Sequence, residues 1–156
     1  MGRSRSVYAT ALGTAVLAAG ALAFAPSASA VDPQTATVSA DCGSAGSGEA
    51  TLTATQDGTA ATITLNSSAV KAPIDVGAGS VETTLTLSKN GSDTATFTGK
   101  SNPAMSAGDD VNSGPLDGTV AAGDVMEAKS VKIVVLGIIT VNCTATSAQS
   151  PGPFTF

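Results

Sequence analysis

Asp109, Asp110, Asn112 and Asp117 bring carboxylate and amide oxygens into one short stretch, with Asn102 a few residues upstream. Hard oxygen donors gathered in a loop are the inventory that calcium prefers. The spacing departs from the helical calcium-loop pattern, because Gly114 stands one place early and position 121 carries alanine where that loop carries glutamate. Two readings follow: a solvated acidic binding loop made of Asn102, Asp109, Asp110, Asn112 and Asp117, or weak calcium binding at Asp109, Asp110, Asn112 and Asp117. No cofactor is expected.

The second pair with chemistry to offer is Cys42 and Cys143, the only cysteines, near the two ends of residues 31–156. They lack a Cys-x-x-Cys spacing, a third thiol or any histidine, so a metal pair is a poor fit and one disulfide is expected. Closing a loop of that length stabilises by roughly 4 to 5 kcal/mol in the chain-entropy model.

The remaining inventory excludes more than it offers. The chain has no histidine and no tryptophan, and beyond residue 30 it has no arginine or tyrosine either. Histidine triads, histidine metal sites and arginine phosphate clamps are therefore unavailable, and a general acid or base would have to be a carboxylate of raised pKa. Lysines next to serines, Ser68 with Lys71 and Ser88 with Lys89, read as strand-end solvation. The expected protein is not an enzyme. Five lysines against twelve carboxylates give residues 31–156 a formal charge of −7. That balance argues against nucleic acid as a partner. Sugar recognition is equally poorly served, since Phe97, Phe154 and Phe156 are the only aromatics in that span.

The amino terminus has the layout of an export leader. Arg3 and Arg5 precede an apolar stretch from Val7 to Phe24, and Ala28-Ser29-Ala30 supplies the small residues of a cleavage site. The expected division is a signal peptide over 1–30, cleaved after Ala30, and a single domain over 31–156, placed outside the cell. No later run is long enough to span a membrane as a helix. The strongest, Val131 to Val141, contains Lys132 and Gly137. Phe154 and Phe156 match the carboxy-terminal pattern of outer-membrane barrels, but those barrels need aromatic girdles this composition cannot build.

The elements that must position these residues read as short strands. Apolar side chains alternate in Val38-Ala40-Cys42, Ala50-Leu52-Ala54, Ala61-Ile63-Leu65 and Val81-Thr83-Leu85-Leu87, while threonines fill the opposite face. Asp57-Gly58 and Asn90-Gly91 are hairpin signals between such runs. Residues 31–35 read as a frayed start, Gly99 to Gly118 as one long loop, and Ser130 to Thr144 as a central strand bent at Gly137. No segment holds a helical period. An all-β fold follows: an immunoglobulin-like two-sheet antiparallel sandwich of about seven or eight strands, closed by one disulfide.

The run Thr37-Val38-Ser39-Ala40-Asp41-Cys42, matched by Ile139-Thr140-Val141-Asn142-Cys143-Thr144, resembles small secreted immunoglobulin-like proteins of actinobacteria, typically of unassigned function, in which cysteines end the first strand and close the last. The acidic, Ala/Thr/Gly/Ser-rich composition also resembles the neocarzinostatin-like apoproteins, which implies a small-molecule carrier. The leading expectation is a secreted, non-enzymatic sandwich whose loops or edge strands contact another extracellular protein or a cell-envelope component. A small-molecule carrier and an inhibitor of secreted proteases, presenting the stretch Gly99 to Gly118, stand as alternatives.

Overall fold

A computed structural model describes residues 30–156. The leader expected over 1–30 falls outside the described residues but for Ala30. Nine strands follow in order: β1 (Thr35–Asp41), β2 (Ser47–Asp57), β3 (Ala60–Lys71), β4 (Val81–Lys89), β5 (Asp93–Gly99), β6 (Asp110–Thr119), β7 (Val125–Val135), β8 (Ile139–Ala145) and the two-residue β9 (Phe154–Thr155). The one helical element described is a single 3-10 turn, Gly43–Ala45, between β1 and β2. Among the described residues no helix is long and apolar enough to cross a membrane.

The expected two-sheet sandwich is not what forms. Strand order runs β4-β5-β6-β3-β2-β1-β8-β7, and β7 pairs back onto β4 over Val81↔Val135 to Lys89↔Met126, so eight antiparallel strands close into one barrel. Short β9 adds to the start of β7. This overturns the immunoglobulin-like assignment and, with it, both family resemblances as guides to the fold. The physical reason is that a sandwich and a barrel write the same alternation into each strand. What separates them is which edges meet, here the sequence-distant pairings of β3 with β6 and β4 with β7. Ring closure also consumes the strand edges on which an edge-contacting sandwich module would depend.

Three local expectations need correcting. Gly99 to Gly118 is not one loop, because Asp110–Thr119 is β6, a strand lying between β5 and β3. That removes the extended loop an inhibitor would present. Gly114 and Pro115 hid the strand: both stand opposite Thr64 in a bulge, where pairing shifts from Ile63↔Leu116 to Leu65↔Ser113. Next, the supposed central strand over Ser130 to Thr144 is a hairpin. Leu136 and Gly137 both take positive φ (52° and 73°), and the Ile138 N–H donates to the Val135 carbonyl at 3.1 Å, which is a type I′ turn. Finally, the start is not frayed. Val31 is buried, and Asp32 exchanges backbone hydrogen bonds with Thr155 at 3.1 and 2.8 Å.

Inside the barrel the core falls into two clusters. One holds all three phenylalanines among the described residues, Phe97, Phe154 and Phe156, together with Leu52, Ile63, Leu87, Leu116 and Met126. The other lies at the end where β1, β3, β5 and β7 finish, and holds Val70, Val76, Val81, Val111, Ile133, Val135, Met105 and the cysteine pair. Buried hydroxyls mark the boundary. Ser113 Oγ donates to Thr83 Oγ1 at 2.6 Å, and Ser67 Oγ donates to the Glu49 carbonyl at 3.3 Å. On β4, Thr83 stands between Val81 of one cluster and Leu85 of the other. The outer face carries the threonines, as in the cross-strand pair Thr55 and Thr62, whose hydroxyls meet at 2.7 Å. An apolar interior under a polar exterior is the reverse of a membrane-spanning barrel.

Candidate functional site

The two ends of the barrel are finished differently. At the phenylalanine end, β9 folds beneath the barrel. Phe156 stacks on Phe97 and meets Phe154 edge-on, both at 6.3 Å between ring centroids. The Phe156 carbonyl receives the Gly123 N–H at 2.6 Å, so the plug is fixed through its backbone as well. That end is filled.

The other end is roofed by two connections, residues 72–80 between β3 and β4 and residues 100–109 between β5 and β6. They pair with each other as a short ribbon. Val76 and Met105 exchange backbone hydrogen bonds at 2.7 and 2.9 Å, and Ala72 pairs with Gly108 and Asp109 at 2.8 and 2.9 Å. Asn102 anchors the ribbon to the barrel. Its buried amide receives the Val81 N–H at 2.9 Å and donates to the carbonyls of Gly77 and Pro103 at 3.0 and 2.8 Å.

Between this roof and the mouth cluster lies a cavity of about 210 Å³. Val81 from β4, Val111 from β6, and Ile133 and Val135 from β7 form its walls, with Val70 at the end of β3 and Met105 in the roof. Val70 reaches the interior because pairing of β3 with β6 shifts between Ser67 and Lys71, which puts two inward residues at an odd spacing. The space exists because no aromatic side chain belongs to this cluster. Valine and alanine cannot span the barrel bore that the phenylalanines fill at the far end. Two smaller voids, of about 20 and 30 Å³, continue inward past Cys143 and Ala40, each the size of roughly one water. Of the residues lining the cavity, Ser44 and Lys71 alone carry polar side chains.

Lys71 sits at the rim and forms an ion pair with Asp110, both side chains about half exposed. Beyond that pair lies an open polar basin of about 410 Å³, bordered by Lys71, Met105, Asp109, Asp110 and Asn112. Lys71 and Met105 are common to both spaces. Three of the four large apolar side chains exposed on the described surface also occur at this end: Ile138 (80%) and Leu136 (52%) on the β7–β8 turn, and Ile74 (38%) in the roof.

Of the residues singled out in the sequence, Asp109, Asp110 and Asn112 come together at the basin, while Asn102 and Asp117 stand apart from them. Cys42 and Cys143 form the expected disulfide and lie in the mouth cluster. Asn102 is buried and occupied with backbone groups. Asp109 closes its own turn, accepting the Ser106 N–H at 2.7 Å through Oδ2. Asn112 donates to the Asp110 carbonyl at 3.3 Å. Asp117 stands on the outer face of β6, paired across to Thr62 and Thr98 and separated from Asp110 by the Gly114-Pro115 bulge. The four oxygen-bearing residues considered for calcium do not share one loop, and the described residues hold no group of three or more His, Cys, Asp or Glu poised around a metal position. The valines that line the cavity went unmarked in the sequence, where they are ordinary inward strand residues. Comparison with protein-family models, curated proteins and solved structures found no match to this chain.

Proposed function

We propose that this protein binds a small apolar molecule beneath the roofed end of its barrel and does no chemistry on it. The observation that carries this reading is the division of the core, with every aromatic ring among the described residues packed at one end and a cavity of about 210 Å³ walled by valine, isoleucine and methionine at the other. Barrel mouths are a common place for such sites. A dry apolar cavity of roughly 150 Å³ is enough to take up benzene, so the ligand is a single ring or a short chain on the order of ten heavy atoms. Support for a non-catalytic role comes from the inventory: no histidine in the chain, and a cavity wall with one ammonium and one hydroxyl as its only polar side-chain groups. We further propose that the chain is exported, on the strength of the leader over residues 1–30 and of a disulfide that persists in oxidising compartments.

The test is titration calorimetry of the disulfide-bonded protein with hexan-1-ol. Binding to the native chain and its loss in Val111→Phe, whose ring would occupy the cavity, is the expected result, with circular dichroism showing that the variant keeps its strands. Binding unaffected by Val111→Phe would place the ligand elsewhere and defeat the proposal.

A further inference from the structure

We infer that the ligand is an amine, an apolar body carrying one positive charge, with the body in the cavity and the ammonium in the adjoining basin. The inference rests on the binding reading above and adds the sign of the polar group. The cavity and the basin adjoin at Lys71 and Met105, which belong to the walls of both, so displacing the Met105 side chain would let a molecule seated in one extend into the other. Met105 is a flexible, unbranched side chain suited to moving aside at such a junction.

The charged residues bordering the basin are Asp109 and Asp110 against Lys71, with Asp75 on the neighbouring roof ribbon. Their carboxylates are held in place. Asp75 Oδ1 receives the Ala107 N–H at 2.8 Å, and Asp109 Oδ2 receives the Ser106 N–H at 2.7 Å. Lys71 is engaged with Asp110, which leaves two carboxylates with no cationic partner among the described residues. An apolar hole whose exit is bordered by a net charge of −1, with the Asp75 carboxylate on the adjoining ribbon, favours a ligand that ends in an ammonium over one that ends in a carboxylate. The formal charge of −7 over residues 31–156 acts in the same direction.

Three six-carbon probes of matched size decide the question in low-salt buffer on the intact protein: hexylammonium, hexan-1-ol and hexanoate. The expected order is hexylammonium tightest and hexanoate weakest, with about a tenfold gap between the two ions. That gap should narrow as salt is added. Lys71→Met should widen it and Asp110→Asn should shrink it. If hexan-1-ol binds but the two ions bind equally, or hexanoate binds more tightly, the amine assignment is overturned while the cavity reading survives. If hexan-1-ol does not bind at all, the cavity reading falls and the amine assignment with it.

Discussion

A methyl group added at Gly118 would place its carbon 2.5 Å from the ring of Phe97, well inside contact distance. The glycine lets β6 pass beneath a fully buried aromatic side chain that also stacks on Phe156. Gly118→Ala should therefore destabilise the fold by about 1–3 kcal/mol, the usual cost of overpacking, measured as a lowered urea midpoint with an unchanged slope. A midpoint equal to that of the native chain would mean that Phe97 is not seated there. At this scale the sequence was informative about single positions with strong local chemistry. The cysteines, Asn90-Gly91 and Asp57-Gly58 each announced their role. It was silent about Gly118, because its constraint comes from a ring 21 positions away in the chain.

Asp124 shows how two turns become one element. Asn90 and Gly91 adopt positive φ (51° and 83°) in the β4–β5 hairpin. Asn90 then reaches the start of β7, its Oδ1 receiving the Val125 N–H at 2.9 Å and its backbone N–H donating to the Val125 carbonyl at 2.8 Å. Asp124 ties the pair, accepting from Lys89 Nζ at 2.8 Å, from the Ala121 N–H at 2.8 Å and from Asn90 Nδ2 at 3.3 Å. The hydrogen bond from Lys89, then that from Ala121, hold its carboxyl below the ordinary carboxylate value of 3.8, against a smaller opposing effect of burial. A depressed folded pKa favours the native state fully above the unfolded value. That contribution is lost as pH falls below 3.8 through the lowered folded value. Asp124→Asn should thus flatten the acid limb of a stability-against-pH curve and leave the shape above pH 5 nearly unchanged; an identical acid limb would show that this carboxylate is not coupled to folding. The strands were legible wherever alternation ran unbroken, as in β1, β2 and β4 and in β3 as far as Leu65, beyond which its register shifts. β6 was not, since its Gly114-Pro115 bulge breaks the period of two, and the β7–β8 turn was not, since Leu136 occupies a position where turns ordinarily carry Asn, Asp or Gly.

At the scale of the whole molecule, closure is what the sequence left open. The seam between β1 and β8 has two paired positions, Ala40↔Ala145 and Asp41↔Thr144, and the Cys42–Cys143 disulfide is the next rung of that ladder. Below it the tail continues along β1. Ser150 exchanges backbone hydrogen bonds with Thr37 at 2.9 and 2.7 Å, and Thr155 pairs with Asp32. Cutting a bond that spans 101 residues should cost roughly 4 to 5 kcal/mol, read as the difference between urea titrations with and without reductant. Overlapping titrations would show that backbone pairing alone holds the seam. Alternation, hairpin signals and cysteine positions fit a sandwich and a barrel equally well, and the uneven distribution of large side chains along the bore becomes visible only once the ring is closed.

Methyl-resolved NMR of the disulfide-bonded protein during a hexan-1-ol titration would show whether the cavity beneath the roof takes up an apolar ligand. Saturable shifts are expected at Val70, Val81, Met105, Val111, Ile133 and Val135, with Leu52, Leu87 and Met126 in the packed cluster unmoved. Shifts spread evenly over both clusters, or none at the mouth, would contradict that uptake.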